Sequence, residues 1–223
     1  MKKRIYLITG YDEWLTHLII EKLSPTYSVV LIKIKSNSFY LIRNLKLVFL
    51  FGFIDFIRIL LIQLNKKKYK ILNIEKNNLH NFLRKIKNDK IFLVNLPFKI
   101  SENFKNIYNC HPSLLPNYKG LLPVARNLFD IFVNNKKILT GVTIHKINKK
   151  FDSGKIIWNK LINLSLKRKT TFKSIYEDFY LSFSEGIDKV NSFKNVKYKK
   201  IIKYKVQKKN ISFYEIFKLK LKI

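Results

Sequence analysis

The stretch Asn109-Cys-His-Pro-Ser-Leu-Leu-Pro-Asn-Tyr-Lys-Gly-Leu-Leu-Pro123 leads out of a short apolar run, Ile107 to Cys110, that reads as a strand. Successive strand side chains point to opposite faces, so Asn109 and His111 share one face. An amide and an imidazole then look into one space at the strand's carboxyl end. Pro112 and Pro116 stiffen the turn behind them. In an open parallel sheet, ligands bind outside that end of the strands. Cys110 faces the other way and reads as a small buried core residue.

Upstream, the chain alternates strand and helix. Arg4 to Thr9 is a buried strand, and Asp12 can cap a helix over Trp14 to Leu23. Ser28 to Lys35 is a β-branched strand, and Tyr69 to Ile74 and Ile91 to Leu96 are two more. A helix over Leu79 to Lys87 places Leu79, Phe82, Leu83 and Ile86 at helical spacing. Strands apolar on both faces that alternate with helices indicate α/β architecture. The expected form is a Rossmann-like open, mainly parallel sheet with helices on both faces.

Downstream, Pro123 starts a helix through Val133. Leu139 to Ile147 and Lys155 to Leu164 are β-rich and joined by the turn Asn148 to Gly154. Asp152 in that turn is the lone carboxylate between Asp130 and Glu177. Spacing alone leaves it either a turn former or a site residue. A long helix is expected from about Thr171, its N-cap, to near Phe193. The basic, aromatic tail from Lys194 carries no recognisable motif. These features divide the chain into a main domain, 1–165, and a C-terminal helix and basic tail expected to pack on it, 166–223.

Composition narrows the partners. The chain has 223 residues and a net charge of +31. Such charge suits an acidic substrate, nucleic acid or an anionic surface, although the lysines spread along the whole chain rather than cluster. A single cysteine rules out a disulfide framework and any cysteine-built zinc site, and no metal is expected. The N-terminal apolar stretch is too short for a signal peptide, so the expected location is cytoplasmic. Leu45 to Leu64 is interrupted by Lys46, Asp55 and Arg58. It reads as a buried helix or helix pair broken near Gly52, without stable membrane insertion.

Two blocks now align. Asn109, His111, Ser113-Leu-Leu-Pro116 and Gly120 form the first, and Thr140-Gly-Val-Thr143 with Asp152-Ser-Gly154 the second. Together they resemble the folate-dependent formyltransferase family, which includes glycinamide ribonucleotide, methionyl-tRNA and amino-sugar formyltransferases. The resemblance implies formyl transfer from 10-formyltetrahydrofolate, as co-substrate, to a primary amine. It implies catalytic roles for Asn109, His111 and Asp152. The first two would stabilise an oxyanion, and Asp152 would orient His111 or a water and take the amine proton. Folate would lie along Ser113, Leu114, Leu115 and Pro116, against Ile100 and Phe151. Gly10, Lys119 and Gly120 would meet the acceptor. A cis Leu115–Pro116 bond is expected. His145 reads as a packed or edge residue, and His17 and His80 as surface residues.

The resemblance leaves the acceptor open. Thr9-Gly-Tyr-Asp-Glu13 lacks the small-residue phosphate loop of the glycinamide ribonucleotide branch, and its acids would repel phosphate. Leu121-Leu122-Pro123 is closer to the methionyl-tRNA and amino-sugar branches. The stretch after Leu164 is too short for a helix plus the barrel of the methionyl-tRNA enzyme. The favoured expectation is a small amine, such as a nucleotide-linked amino sugar. The alternatives are tRNA, glycinamide ribonucleotide, or a catalytically silent binder of nucleic acid or a membrane surface. The oligomeric state is open.

Overall fold

The computed structural model describes residues 2–10, 13–35, 40–52, 57, 70–96, 98–100, 104–120, 122–164, 171–192 and 211–222. Among the described residues, seven strands form one sheet: β1 (Arg4–Thr9), β2 (Ser28–Lys35), β3 (Lys70–Glu75), β4 (Lys90–Val94), β5 (Ile107–His111), β6 (Gly141–Lys146) and β7 (Ile156–Leu161). Their spatial order is β3-β2-β1-β4-β5-β6-β7. The first five in chain order run parallel, while β6 and β7 are antiparallel to their neighbours. The expected open, mainly parallel sheet is therefore what forms.

Side-chain alternation along each strand builds two cores. Ile5 and Leu7 of β1 join Phe92, Val94 and Cys110 on one face, while Tyr6 and Ile8 join Ile91, Leu93 and Ile107 on the other. The first face is covered by α1 (Glu13–Leu23), α2 (Tyr40–Phe51), α4 (Pro123–Phe132), α5 (Phe172–Ser192) and α6 (Phe213–Lys220). The second is covered by α3 (Leu79–Lys85), through Leu79 and Leu83.

Helix α2 ends at Phe51, and Gly52 follows at φ +86°, a left-handed conformation that glycine adopts without steric cost. The break expected near Gly52 falls there. The helix begins earlier than the apolar run suggested, at Tyr40. Residues 53–64 of that region, apart from Ile57, lie outside the described residues, as does the cap expected from Asp12. Thr171 caps α5, its Oγ1 accepting from Ser174 N at 3.1 Å.

Helix α6 was not anticipated, although its start is written in the sequence as Ser212-x-x-Glu215. Ser212 Oγ accepts from Glu215 N, and Glu215 Oε2 accepts from Ser212 N, a reciprocal capping box. Glu215 Oε1 also accepts from Arg126 Nη1 of α4 at 2.6 Å, which ties the terminal helix to the body.

Where α5 crosses the antiparallel strands, Gly186 sets the distance. A Cβ there would lie 2.4 Å from the Trp158 ring and 2.7 Å from Ile144 Cδ1. We expect Gly186→Ala to destabilise the fold by about 1–3 kcal/mol through overpacking. Urea unfolding should show a lower midpoint at unchanged slope. An unchanged midpoint would mean that helix and sheet are not in register there.

Candidate active site

Strand β5 ends in the site. Asn109 and His111 point to one side, and Cys110 is buried on the other, where burial pushes its thiol pKa well up. Beyond β4 and β5 opens a cavity of about 580 Å³. Asn109, His111 and Asp152 all line it, from a strand, its end and a distant turn.

The second sequence block explains how the turn is brought in. Gly141 of β6 passes so close to β7 that a Cβ would sit 2.0 Å from Lys160 O. Thr143 Oγ1 donates to Ser113 O at 2.8 Å and accepts from Leu115 N at 3.1 Å, stitching the Pro-rich loop to β6. Gly154 meets β6 again, with room for no Cβ against Lys146 O. Asp152, two residues earlier, takes a left-handed conformation at φ +47°, which Asp tolerates better than most residues.

Asp152 is 9% exposed yet well served. Its Oδ2 accepts from Gly120 N at 3.0 Å, and its Oδ1 accepts from Asn109 Nδ2 at 3.2 Å. His111 Nδ1 lies 3.5 Å from Oδ1, and His145 Nε2 lies 3.7 Å from it. Burial alone would raise the Asp152 pKa. Donors in the site, the Gly120 N–H among them, more than offset that and hold it below the usual carboxylate range. The group is a buried carboxylate anion at neutral pH.

Tautomers follow from the carbonyls. His111 Nε2 meets Tyr118 O at 2.9 Å, so Nε2 carries the proton and donates. Burial depresses the His111 pKa below its ordinary value, outweighing the pull of Asp152. Its Nδ1 therefore presents a lone pair toward a carboxylate oxygen 3.5 Å away. Two acceptors therefore stand side by side on the cavity wall, open to a donor from the cavity.

His145 belongs to the same group, and the sequence reading did not give it that weight. It sits directly opposite Asn109 in the β5–β6 register and is 2% exposed. Its Nδ1 donates to Lys146 O at 2.8 Å, and its Nε2 accepts from Asn109 Nδ2 at 3.1 Å. Pairing the two motif strands in antiparallel register would have revealed it, because directly opposed residues share a face. The Asn109 amide hydrogens are thus committed to Asp152 and His145. Offering one to an oxyanion means exchanging one of those bonds.

The remaining expected residues divide. Ile100, Phe151, Lys119 and Gly120 line the cavity. Ser113, Leu114 and Leu115 do not: they are buried behind it, with Ser113 Oγ donating to Asn117 O and Tyr118 O. Their backbone is consumed in holding the loop, so they shape the wall without forming it. Pro116 is exposed and off the wall, after a cis Leu115–Pro116 bond. Gly10 is also absent from the wall. Lys99, Lys119 and Lys150 are the lysines on the wall, and Asp152 is its carboxylate, among the described residues. Lys99 Nζ lies 5.2 Å over the ring of Phe151, which is 51% exposed at the mouth.

A strand-end amide and imidazole facing a buried carboxylate in a cavity define a site for chemistry on a polar group. Comparison with known proteins is specific. The family model described as Formyl transferase matches residues 57–180, more than half of the sequence, and the chain belongs to that family. It is 33% identical over 120 residues to the bifunctional polymyxin resistance protein ArnA of Wigglesworthia glossinidia brevipalpis, covering 49% of this chain and 17% of that protein. It is 35% identical over 97 residues to the methionyl-tRNA formyltransferase of Thermotoga maritima, covering 41% and 29%. The match thus spans less than a third of either curated relative. Among solved structures, phosphoribosylglycinamide formyltransferase from Bacillus halodurans superposes with a TM-score of 0.55 at 17% identity, covering 85% of this chain and 96% of that one. A sugar N-formyltransferase from Shewanella gives 0.54 at 16%, covering 99% and 87%. These last two likenesses establish the fold.

The buried, neutral His111 makes a signed prediction. Its folded pKa lies below the unfolded value of about 6.5, so below that pH the unfolded chain binds the extra proton. Stability contributed by this residue is full above the unfolded pKa and declines as pH falls toward the folded one. Urea unfolding from pH 7.5 to 5.5 should show falling stability, with a shallower slope in His111→Asn. Equal slopes in the two proteins would contradict the assignment.

Proposed function

We propose that the protein transfers the formyl group of 10-formyltetrahydrofolate to the primary amine of a small anionic metabolite, a nucleotide-linked amino sugar being the favoured class. The observation that carries this is the pair of acceptors, His111 Nδ1 and Asp152 Oδ1, set 3.5 Å apart. A primary amine can donate one N–H to each. That aims its lone pair outward and marks its protons for removal.

In the proposed step the amine nitrogen attacks the formyl carbon and a C–N bond forms. Negative charge collects on the formyl oxygen, next to the Asn109 amide. A proton leaves the nitrogen for His111 or Asp152. The bond from the carbon to the tetrahydrofolate nitrogen then breaks, and that nitrogen takes the proton. Loss of an oxyanion donor typically costs about 3–4 kcal/mol, and a positioned base is typically worth about 10²–10⁴-fold.

The donor fits the apolar side of the cavity. Leu96, Phe98, Ile100, Ile147 and Phe151 offer a slot for a flat heterocycle, and the Asn95 amide lies on the same wall. A cavity of about 580 Å³ suits a small molecule. The three wall lysines favour an acceptor carrying phosphate. Gly10 stands off the wall, which weighs against a glycinamide ribonucleotide phosphate bound by the β1 loop. The intact carboxylate, imidazole and amide set weighs against a catalytically silent binder.

A second reading, formylation of methionyl-tRNA, is favoured by the name of the Thermotoga relative and by the net charge of +31. It requires tRNA affinity that falls steeply with salt.

The test is incubation with 10-formyltetrahydrofolate and a panel of nucleotide-linked amino sugars, glycinamide ribonucleotide and methionyl-tRNA. We expect tetrahydrofolate release that depends on an amino sugar. Asp152→Asn should lower kcat/KM by about 10²–10⁴-fold while folate binding persists. Release only with methionyl-tRNA would select the second reading. Folate binding without turnover on any amine would overturn both.

A further inference from the structure

We propose that Asp130, which lies in α4 away from the cavity wall, is a positioning residue that acts through Tyr118 to hold both His111 and Asp152 in their working geometry. The chain of contacts is short and buried. Asp130 is 1% exposed, and its Oδ2 accepts from the Tyr118 hydroxyl at 3.1 Å. The Tyr118 carbonyl accepts from His111 Nε2 at 2.9 Å. Two residues on, Gly120 N donates to Asp152 Oδ2 at 3.0 Å. One tight turn therefore grips the imidazole at one end and the carboxylate at the other.

That turn does not keep its shape unaided. Tyr118 sits at φ +49°, in the left-handed region that bulky residues avoid. Such a conformation persists when surrounding contacts over-determine it. Three contacts do so here. The hydroxyl is tied to Asp130, and the carbonyl accepts from both His111 and, at 3.2 Å, Ser113 Oγ. The first is the one anchor that reaches outside the loop and β5.

Asp130 is itself fixed from several sides. Its Oδ1 accepts from Asn134 Nδ2 at 2.7 Å and from Lys136 Nζ at 3.0 Å, and Arg126 Nη2 lies 3.8 Å away. Its carbonyl accepts from Lys136 N at 2.9 Å. Arg126 in turn is bound by Glu215 of α6. Burial of the carboxylate is more than offset by these donors, which keep it ionised. Because a carboxylate only accepts, it commits the Tyr118 hydroxyl to donating and so fixes the ring. With the ring fixed, the carbonyl direction is fixed. The carbonyl in turn places the His111 proton on Nε2 and leaves Nδ1 bare toward Asp152.

The inference rests on the proposed function for its kinetic consequence alone. The tautomer it specifies can be read without any substrate, so failure of one is distinguishable from failure of the other. The experiment compares wild type, Tyr118→Phe and Asp130→Asn, all labelled with ¹⁵N-histidine, by two-bond ¹H–¹⁵N correlation. Wild-type His111 should show the Nε2-protonated form. Both variants should move it toward a mixture of tautomers. The variants should also lower kcat on the order of 10-fold to 100-fold, at nearly constant KM for the folate donor, and shift the acidic limb of the kcat/KM profile. Tyr118→Phe removes one hydroxyl and decides the matter if Asp130→Asn does not fold. A folded Tyr118→Phe with wild-type histidine signals and wild-type kcat would overturn the proposal. So would a variant that loses stability alone, with tautomer and pH profile unmoved.

Discussion

A carboxylate kept charged inside the protein is the constraint around which the rest is arranged. Asp152 has little solvent to stabilise it, so the fold must supply donors. It does so from separate pieces of chain: a backbone N–H at Gly120 in the loop, and the Asn109 amide of β5, which also donates to His145 of β6. Each piece needs the others in place. The carboxylate would be too costly to bury without the loop, and the loop needs β6 to hold it down. This mutual dependence explains why two blocks distant in sequence occur together.

Several residues that look functional in a motif turn out to serve that assembly. Ser113 spends its hydroxyl on the backbone of Asn117 and Tyr118, and Thr143 spends its hydroxyl on the loop's backbone. Gly141 and Gly154 allow β-strand backbones to approach more closely than any side chain would permit. The Asn109, His111 and Asp152 cluster therefore owes its geometry to residues that stand off the cavity wall. Leu114 and Leu115 are core residues that carry the loop, with apolar burial as their contribution.

The parallel half of the sheet was legible because both of its faces are buried. Continuous apolar runs such as Arg4 to Thr9 and Ser28 to Lys35 begin and end where the strands do. Asn109 and His111 could be placed together from strand alternation alone. His145 could not, since its role depends on which strand lies beside β5 and in which register, a long-range fact. That Ser113 to Pro116 stand off the cavity wall was not legible for a related reason: a motif states which residues recur, not which of their atoms face the cavity. Helix α6 was missed because the aromatic, basic tail masks its capping box, Ser212 with Glu215, and because the Arg126 that pairs with Glu215 lies far upstream.

The surplus of lysine acts at a different range from the buried chemistry. Lys99, Lys119 and Lys150 on the cavity wall share its mouth with the broader positive field of the chain. Such a field raises the local concentration of anionic substrates and weakens over about a Debye length, roughly 8 Å at physiological ionic strength. Inside, the interactions among Asp152, His111 and His145 occur at 3.5–3.7 Å and away from solvent ions. Charge outside and charge inside therefore divide the work. The lysines bear on how often an anion arrives at the mouth, and Asp152 with its neighbours sets the local chemistry of the cavity. A basic surface is thus compatible with a small acceptor as well as a polymeric one. The shape of the cavity and the pair of adjacent acceptors carry more information about the reaction than net charge does.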